Sequence, residues 1–502
     1  MTRRIQQSQY CTLRKGCKVT GLVAEEPPII EYEDENGAKC QIEGQWLIGA
    51  DGKVGIVRKH FLEPAANIKQ ETGLYPYDGT WIAANLRITL PTPETHPSLP
   101  LWNLGYTPEE VYDLYWPTGW HFCSPPGKPT ATGRIGPHEM RLWRHEFRQD
   151  AWDDSMDAHA LMWEHIMPMI TRDRDAASRT FGSPVPYPVD CIEVLRCRPF
   201  RFTHKVVNQW FHKRAILIGD AAHVFPPFAG QGIASGVRDA HQLAWRLALL
   251  LSGSQSSSTA SEQRILHAWA AERRKSVDDA AMFSILNGRV CNGQPSYWLL
   301  AVLWLKTAMD QMSSLQRWLD VQRIQERRGF TPVVGGFFVK DSGGGARLAQ
   351  VPVQSSFPQV SLSDSLLHRP SSIFTLVVIV TDGDDLKKLY EDAQTSIKGA
   401  FLTPSVLSDD SIIIFDTRSA RAASTGSRIM NSDWEHRNKI FTVVTGEKSA
   451  TDENQATIYR SRLGMYTKFA ILRPDFFVFA AAKDAVSLAK HLTDLKEKAS
   501  TA

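Results

Sequence analysis

A short apolar strand ending in Gly-Asp, followed by a glycine-punctuated loop and a long helix, confines this chain to an α/β architecture. The stretch runs from Arg214 to Leu251 and reads RAILIGDAAHVFPPFAGQGIASGVRDAHQLAWRLALLL. Ala215 to Ile218 has the character of a buried strand. Gly219 and Asp220 place a carboxylate at its carboxyl end, the edge at which open α/β sheets bind ligands. Gly230, Gly232 and Gly236 follow a Pro-Pro loop. Ile233, Val237, Ala240, Ala244, Leu247 and Leu251 then recur at steps of three and four, which predicts a helix whose apolar face they form. A carboxylate accepts hydrogen bonds from sugar hydroxyls, glycines admit a ligand close to the backbone, and a helix N-terminus favours an anion. Together these features point to a nucleotide cofactor. GQGIASG is not the dinucleotide fingerprint, because its last spacing is one residue too long and a ten-residue loop separates it from the strand.

A second turn of the same kind lies upstream. QWLIGADGKVGIVRKHF, residues 45 to 61, is an apolar strand that ends in Gly-x-Asp-Gly and leads into a helix carrying Arg58.

GDAAHVFPPFAGQGIASGVRDAHQLAWRLA resembles the second FAD-contacting motif of single-component, FAD-dependent aromatic hydroxylases, nearest the 3-(3-hydroxyphenyl)propionate hydroxylase and phenol hydroxylase branch. The resemblance implies that Asp220, after Gly219, binds flavin ribityl or ribose hydroxyls and that Pro227 borders the isoalloxazine ring. It implies backbone N–H groups toward the cofactor from Gly230, Gln231 and Gly232. The upstream turn resembles the family's Asp-Gly motif, associated with FAD and NAD(P)H, with Asp51, Gly52 and Arg58 on its matching positions. Gly55 stands where the family usually has a serine, so the hydroxyl that would cap that helix is missing. HEMRLWRHEF resembles the Arg-Trp-Glu-Phe strand of the family's substrate sheet, AAERRKSVDDA its Glu-Arg-Arg stretch, and RPDFFVFAA the end of a thioredoxin-like domain.

One departure is large. These hydroxylases begin with a βαβ unit carrying Gly-x-Gly-x-x-Gly, which holds the pyrophosphate of FAD. Residues 1 to 50 contain no such motif. The expectation is an FAD domain incomplete at its amino end through truncation, with genuine loss of that unit as the alternative. Gly343-Gly344-Gly345 follows no buried strand and opens no helix, so it reads as a flexible loop.

The rest of the chain reads as follows. Cys17–Val23 and Ile29–Tyr32 are predicted strands, with Glu35-Asn36-Gly37 as a hairpin turn. Thr80–Leu90, parts of 112–123 and 139–147, and a strand pair over 194–211 are further strands. Helices are predicted over 153–170, 265–283 and 296–328. A Gly-, Ser- and Pro-containing stretch, 329 to 370, is the linker. Beyond it, strands at 373–380, 411–416 and 440–445 and helices at 384–396, 454–463 and 483–498 suggest a small α/β layer. The expected domains are a partial FAD-binding domain (1–65), a substrate-binding sheet (66–185), the FAD-domain return with a helical cap (186–328), the linker (329–370) and a thioredoxin-like domain (371–502). The fold class is thus mixed α/β, an FAD-binding hydroxylase fold incomplete at its amino end.

Composition narrows the function. The 502 residues allow about two to four domains. With 57 basic and 54 acidic residues, the charge is too balanced for nucleic acid or an anionic membrane as main partner. Seven widely spaced cysteines without a C-x-x-C pair argue against a disulfide framework or a zinc site, so no metal is expected. The region after residue 371 has no cysteine, which excludes thiol–disulfide chemistry there and leaves a structural or dimer-forming role. No secretory signal is present, and the most apolar helical stretch falls short of the ~20 residues of a bilayer span, so a cytoplasmic protein is expected.

The resemblance implies a monooxygenase that hydroxylates an aromatic or phenolic metabolite with FAD, NAD(P)H and dioxygen. Two alternatives stand beside it: a catalytically silent flavoprotein-like scaffold, and a flavin-dependent epoxidase or oxidase of a non-aromatic metabolite. No catalytic base is assigned. His223, beside the motif, is as well suited to packing or capping.

Overall fold

The computed structural model describes residues 2–123, 128–175, 177–228, 230–252, 259–292, 329–354, 360–367, 372–418, 439–443 and 455–500, with the isolated positions 301 and 304. The predicted helices over 296–328 lie outside the described residues, apart from those two positions.

Alternating apolar residues and tight turns build the amino-terminal part. Lys18–Glu25, Pro28–Glu33 and Lys39–Glu43 form an antiparallel meander. Its second hairpin turns at Asp34–Ala38, where the Asp34 carboxylate accepts the Asn36 and Ala38 amides and Gly37 takes φ +80°. Leu47–Gly49 then runs parallel to Ala215–Leu217, in register Ala215 to Leu47 and Leu217 to Gly49. Phe211–His212 flanks the second of these strands, and Leu47–Gly49 forms an edge. Two stretches about 165 residues apart in sequence thus meet as neighbours, the parallel pairing expected of an α/β layer.

Inserted between them is a five-stranded antiparallel sheet. Its order is Ile192–Thr203, Asp78–Ile88, Leu142–Arg148, Thr130–Ile135, Trp120–Cys123. One face, carrying Ile82, Ala84, Leu86, Trp143 and Phe147, buries against Tyr112, Tyr115, Met162 and Ile166 of two helices. The first of these helices, Pro108–Tyr115, takes the start of the 112–123 stretch, and the strand expected within that stretch is Trp120–Cys123. Thr107 and Glu110 form a capping box at the helix start, and the local cap outweighs the β-propensity of the helix's aromatics. The second, Ala158–Ile166, is shorter than predicted because Asp157 caps it. Ile192–Thr203 and Lys205–Val207 do not pair with each other; the first joins this sheet and the second pairs with Gln70–Thr72 and His223–Val224.

The Gln231–Ser252 helix exists as predicted, but its apolar face is turned out. Ile233, Val237 and Leu251 are 85, 57 and 53% exposed. The buried face carries Ser235, Asp239, Gln242, Leu243, Arg246 and Leu249. Hydropathy pattern failed here because the buried charges are neutralised by partners on the Thr259–Asn292 helix: Arg273 donates to Asp239 at 2.6 Å and Arg246 to Glu272 at 2.7 Å.

The carboxyl-terminal part is a seven-stranded sheet in the order Val360–Leu362, Pro352–Gln354, Ile440–Val443, Ile412–Asp416, Thr375–Val380, Phe469–Leu472, Val478–Ala482. Thr375–Val380, Ile412–Asp416 and Ile440–Val443 are parallel, and Phe469–Leu472 is antiparallel to the first. Helices Leu386–Ala400 and Ala485–Ala499 pack together, and Leu488, Leu492 and Tyr390 enter the same core as Phe61, Ile216 and Trp269. The stretch expected as a linker is in its described parts packed: Phe337, Phe338, Val351 and Val353 are buried, and two short strands join the sheet. Gly344 is not part of a flexible loop. A Cβ there would lie 2.4 Å from the Val339 carbonyl and 2.5 Å from that of Phe479, so the glycines permit a tight backbone crossing.

Four buried charged groups link these parts. Glu272 accepts from Arg246 and from both terminal nitrogens of Arg473, and the Phe337 amide donates to it at 2.8 Å. Arg473 also donates to Asp475, whose carboxylate accepts from the Trp245 indole at 3.1 Å. Burial would raise the Glu272 carboxyl, but Arg473 and Arg246 overcome it and hold it below the ordinary value.

Candidate cofactor site

The parallel pair Leu47–Gly49 and Ala215–Leu217 sends both Asp-containing turns out at the same sheet edge. Gly49 is required for that closeness, since a Cβ on it would meet Leu217 and Val57 at 2.9 Å. The Ile218 amide continues the ladder, donating to the Gly49 carbonyl at 3.0 Å.

The two aspartates do different work. Asp51 is spent locally: its carboxylate accepts the Val57 amide at 2.8 Å, at the start of the helical turn Val57–Leu62. It supplies the acceptor that a serine hydroxyl at position 55 was expected to give. Gly55 is the complement, because a Cβ there would lie 2.2 Å from the Asp51 carboxylate. Asp220 is exposed, and its carboxylate makes no hydrogen bond among the described residues. Its backbone is fixed, with Gln70 Nε2 donating to the Asp220 carbonyl at 2.9 Å. The preceding Gly219, at φ +59°, donates its amide to Asp239 at 2.8 Å. A held backbone and a free carboxylate form an acceptor prepared for a hydroxyl-bearing ligand.

The surroundings are cationic. Lys53, in the upstream turn, is held below its ordinary pKa, by burial first and then by Lys205 and Arg201, with Asp78 and Asp220 opposing. Gly52 takes φ +82° in that turn. Arg58 is buried and donates to the Lys53 carbonyl at 2.6 Å, so it braces the turn.

After Asp220 the chain forms a cradle. The Gly230 amide donates to the Pro227 carbonyl at 3.1 Å, closing the loop, and Gly230 adopts φ +61°. Among the described residues, nothing lies within 4 Å of where a Cβ would stand on Gly230 or Gly232. Gln231 and Gly232 form the first turn of the long helix, whose first amides have no partner within the helix. Ser284 donates to the Pro226 carbonyl at 3.0 Å and Asn287 to that of Phe228, tying the loop to the neighbouring helix.

Three residues escaped the sequence reading. Asp239 is fully buried and joins Gly219, His223 and Arg273 on one carboxylate. Burial would raise its pKa, but Arg273 and His223 bring it down to about 2. That fixes His223 as a packing residue, donating to Asp239 at 2.7 Å against Trp210 and Phe225. Phe228 is the second. It is fully buried, 5.2 Å from the Tyr77 ring and 5.4 Å from that of Trp81, on the inserted sheet's open face. Gly288 is the third, since a Cβ on it would stand 2.3 Å from the Phe228 ring. The usable signal for Asp239 was a lone acidic residue on the long helix, followed 34 positions later by an arginine pair.

The arrangement suits a ligand with hydroxyls at Asp220 and a flat or anionic portion along Pro227, Phe228 and Gly230–Gly232. Residues 172–281 match the FAD binding domain family. The chain is 25% identical over 471 residues to a probable NADH-specific resorcinol 4-hydroxylase of Rhodococcus jostii, covering 92% of this chain and 67% of that protein. It is 25% identical over 343 residues to a 3-(3-hydroxy-phenyl)propionate/3-hydroxycinnamic acid hydroxylase of Escherichia coli, covering 67% of this chain but 50% of that protein. The chain therefore spans from half to two thirds of these relatives' length. Among solved structures, the flavin-dependent monooxygenase PieE with FAD and substrate superposes with TM-score 0.60 at 14% identity, over 99% of this chain and 78% of that one. Aklavinone-11 hydroxylase with FAD and aklavinone gives 0.56 at 14% identity, over 96 and 73%.

Proposed function

The chain has the fold and the FAD-binding segment of the flavin-dependent aromatic hydroxylases, and from that premise we propose that it hydroxylates a phenolic ring with FAD, a nicotinamide reductant and dioxygen. The observation that carries the proposal is the free Asp220 carboxylate beside the open Gly230–Gly232 cradle. Bound FAD would supply the redox chemistry, namely hydride acceptance and dioxygen activation.

The protein's own tasks follow from its residues. Asp220 accepts ribityl or ribose hydroxyls. The Gln231 and Gly232 amides would donate to the flavin, whereas the Gly230 amide, expected to do the same, is spent on the Pro227 carbonyl. Pro227 would border the flavin ring, while Asp51, Gly52 and Arg58 shape the facing turn. Phe228, Tyr77 and Trp81 form an apolar wall where the inserted sheet meets this loop, which keeps water from the reacting centre. Relatives named as ring hydroxylases favour this reading over an epoxidase or a silent scaffold, and the resorcinol enzyme's name favours NADH and a small phenol.

The domain boundaries given above belong to the same proposal. In the carboxyl-terminal domain, the strands Thr375–Val380, Ile412–Asp416, Ile440–Val443, Phe469–Leu472 and Val478–Ala482, numbered along the sequence, lie side by side in the order three-two-one-four-five. That order supports a thioredoxin-like layer. We assign it a structural or dimer-forming role, with Phe401, Tyr466 and Val486 exposed on it. A cytoplasmic location is proposed too; no helix among the described residues is long and apolar enough to cross a membrane.

The test is turnover. Purified chain supplied with FAD, NADH or NADPH and resorcinol is expected to oxidise the nicotinamide and yield a ring-hydroxylated product. Protein that stays colourless with excess FAD and leaves NADH and NADPH unconsumed would overturn the assignment.

A further inference from the structure

The inserted sheet has a cavity on the face turned away from Phe228. It holds about 190 Å³ and is lined by Tyr115, Trp116, Trp143, Ile166, Met169 and Arg172, among others. A dry cavity of about 150 Å³ accommodates benzene, so this one has room for a single substituted ring. Its walls offer aromatic faces: Trp116 and Trp143 meet edge to face at 5.2 Å, and His121 stacks on Trp143 at 6.5 Å.

Trp116 Nε1 and His121 Nε2 in its wall are buried without a partner among the described residues, and beside them stand two further polar groups. His145, also in the lining, is committed within the protein. His145 Nδ1 shares a hydrogen bond with the Thr132 hydroxyl at 3.1 Å and its Nε2 shares one with His165 Nδ1 at 3.0 Å, so both ring nitrogens have partners inside the protein. Burial, and then mutual repulsion, push the His145 pKa down to about 3, so the cavity's inner side is neutral at pH 7. Arg172 is uncommitted. Its guanidinium makes no ion pair or hydrogen bond among the described residues, its Nε is buried without a partner, and its charge lies 5.9 Å from the Tyr115 ring. An apolar ring-sized cavity with one unpaired guanidinium selects for a ring that carries an anion.

We propose that this cavity is a binding site for a small aromatic carboxylate of benzoate size, separate from the flavin-facing side, with the ring among Trp116, Trp143 and Met169 and the carboxylate on Arg172. The neighbouring acids leave Arg172 available, since Asp173 pairs with Arg174 and Asp175 with Arg179.

Fluorine NMR of 4-fluorobenzoate with the full chain tests this directly, with 4-fluorobenzyl alcohol as the uncharged counterpart. The benzoate is expected to bind, and the alcohol to bind about tenfold more weakly. Arg172→Gln should weaken benzoate about tenfold and leave the alcohol unchanged, and Met169→Trp should exclude both by filling the cavity. Arg172 reaches the surface, so its variant carries the test if the tryptophan variant does not fold. Failure of the wild-type chain to bind benzoate, equal binding of the two probes, or wild-type affinity in Arg172→Gln or in folded Met169→Trp would overturn the proposal.

Discussion

The Gly219 amide donates to the Asp239 carboxylate at 2.8 Å, across 20 residues of sequence, so the long helix holds the turn that presents Asp220. The same carboxylate neutralises Arg273 and orients His223, with all three side chains fully buried. Close packing adds to the hold: a Cβ on Gly236 would lie 3.4 Å from the Gly219 Cα. Replacing Asp239 with Asn keeps the shape but leaves the Arg273 charge buried and unpaired. The expected cost is about 3–5 kcal/mol, measured by urea unfolding, with weaker flavin retention. An unchanged unfolding midpoint would show that the turn is held some other way.

Glu272 is the corresponding link between the cofactor half and the carboxyl-terminal sheet. Glu272→Gln removes the shared anion from Arg246 and Arg473, an expected loss of about 3–5 kcal/mol. Limited proteolysis should then release the carboxyl-terminal domain earlier than in the wild type. Identical cleavage and unfolding curves would contradict the linkage.

Gly55→Ser tests how the upstream turn is capped. The serine matches the family pattern, but its Cβ would collide with the Asp51 carboxylate that already accepts the Val57 amide. The substitution should therefore lower stability by about 1–3 kcal/mol rather than raise it. A higher melting temperature would mean that a hydroxyl cap is preferred.

Acid sensitivity follows from the buried histidines. His145 is pushed down to about 3 and His165 to about 4, in each case first by burial, against an ordinary value of 6.5. The unfolded chain therefore binds more protons below pH 6.5, and stability should fall as pH drops from 6.5 toward 4. For the fully buried His145 the slope is about 1.4 kcal/mol per pH unit. Asp239 acts lower still: its contribution is complete above its ordinary value of 3.8 and is lost as pH falls toward about 2. His145→Asn should flatten the upper part of the profile, seen by urea unfolding between pH 7 and 4. The same slope in that variant would refute the assignment.

Local chemistry made much of this architecture legible. The two Asp-Gly and Gly-Asp turns, their strands and the long helix stand where the residues indicated, because glycine placement and short apolar runs report backbone shape directly. The helix's orientation was not legible. Ile233 and Val237 look like a core stripe, yet the core side is built from Asp239 and Arg246, whose partners Arg273 and Glu272 lie on another helix. Burial of a paired charge depends on a tertiary partner that periodicity does not register. The role of Asp51 was hidden similarly, since its acceptor function depends on the empty space that Gly55 provides. Phe228 acquires significance only through Trp81, 147 positions away in sequence, and Gly288.

The most direct measurement is an FAD titration of the wild-type chain and Asp220→Ala, followed by quenching of flavin fluorescence. Asp220 is exposed and its side chain bonds to no described residue, so the variant should fold with an unchanged melting temperature. The account expects saturable quenching by the wild type and about tenfold weaker binding by the variant, the loss of one charge-assisted hydrogen bond. Equal affinity in the two proteins, or no quenching by the wild type, would contradict the placement of the flavin at Asp220.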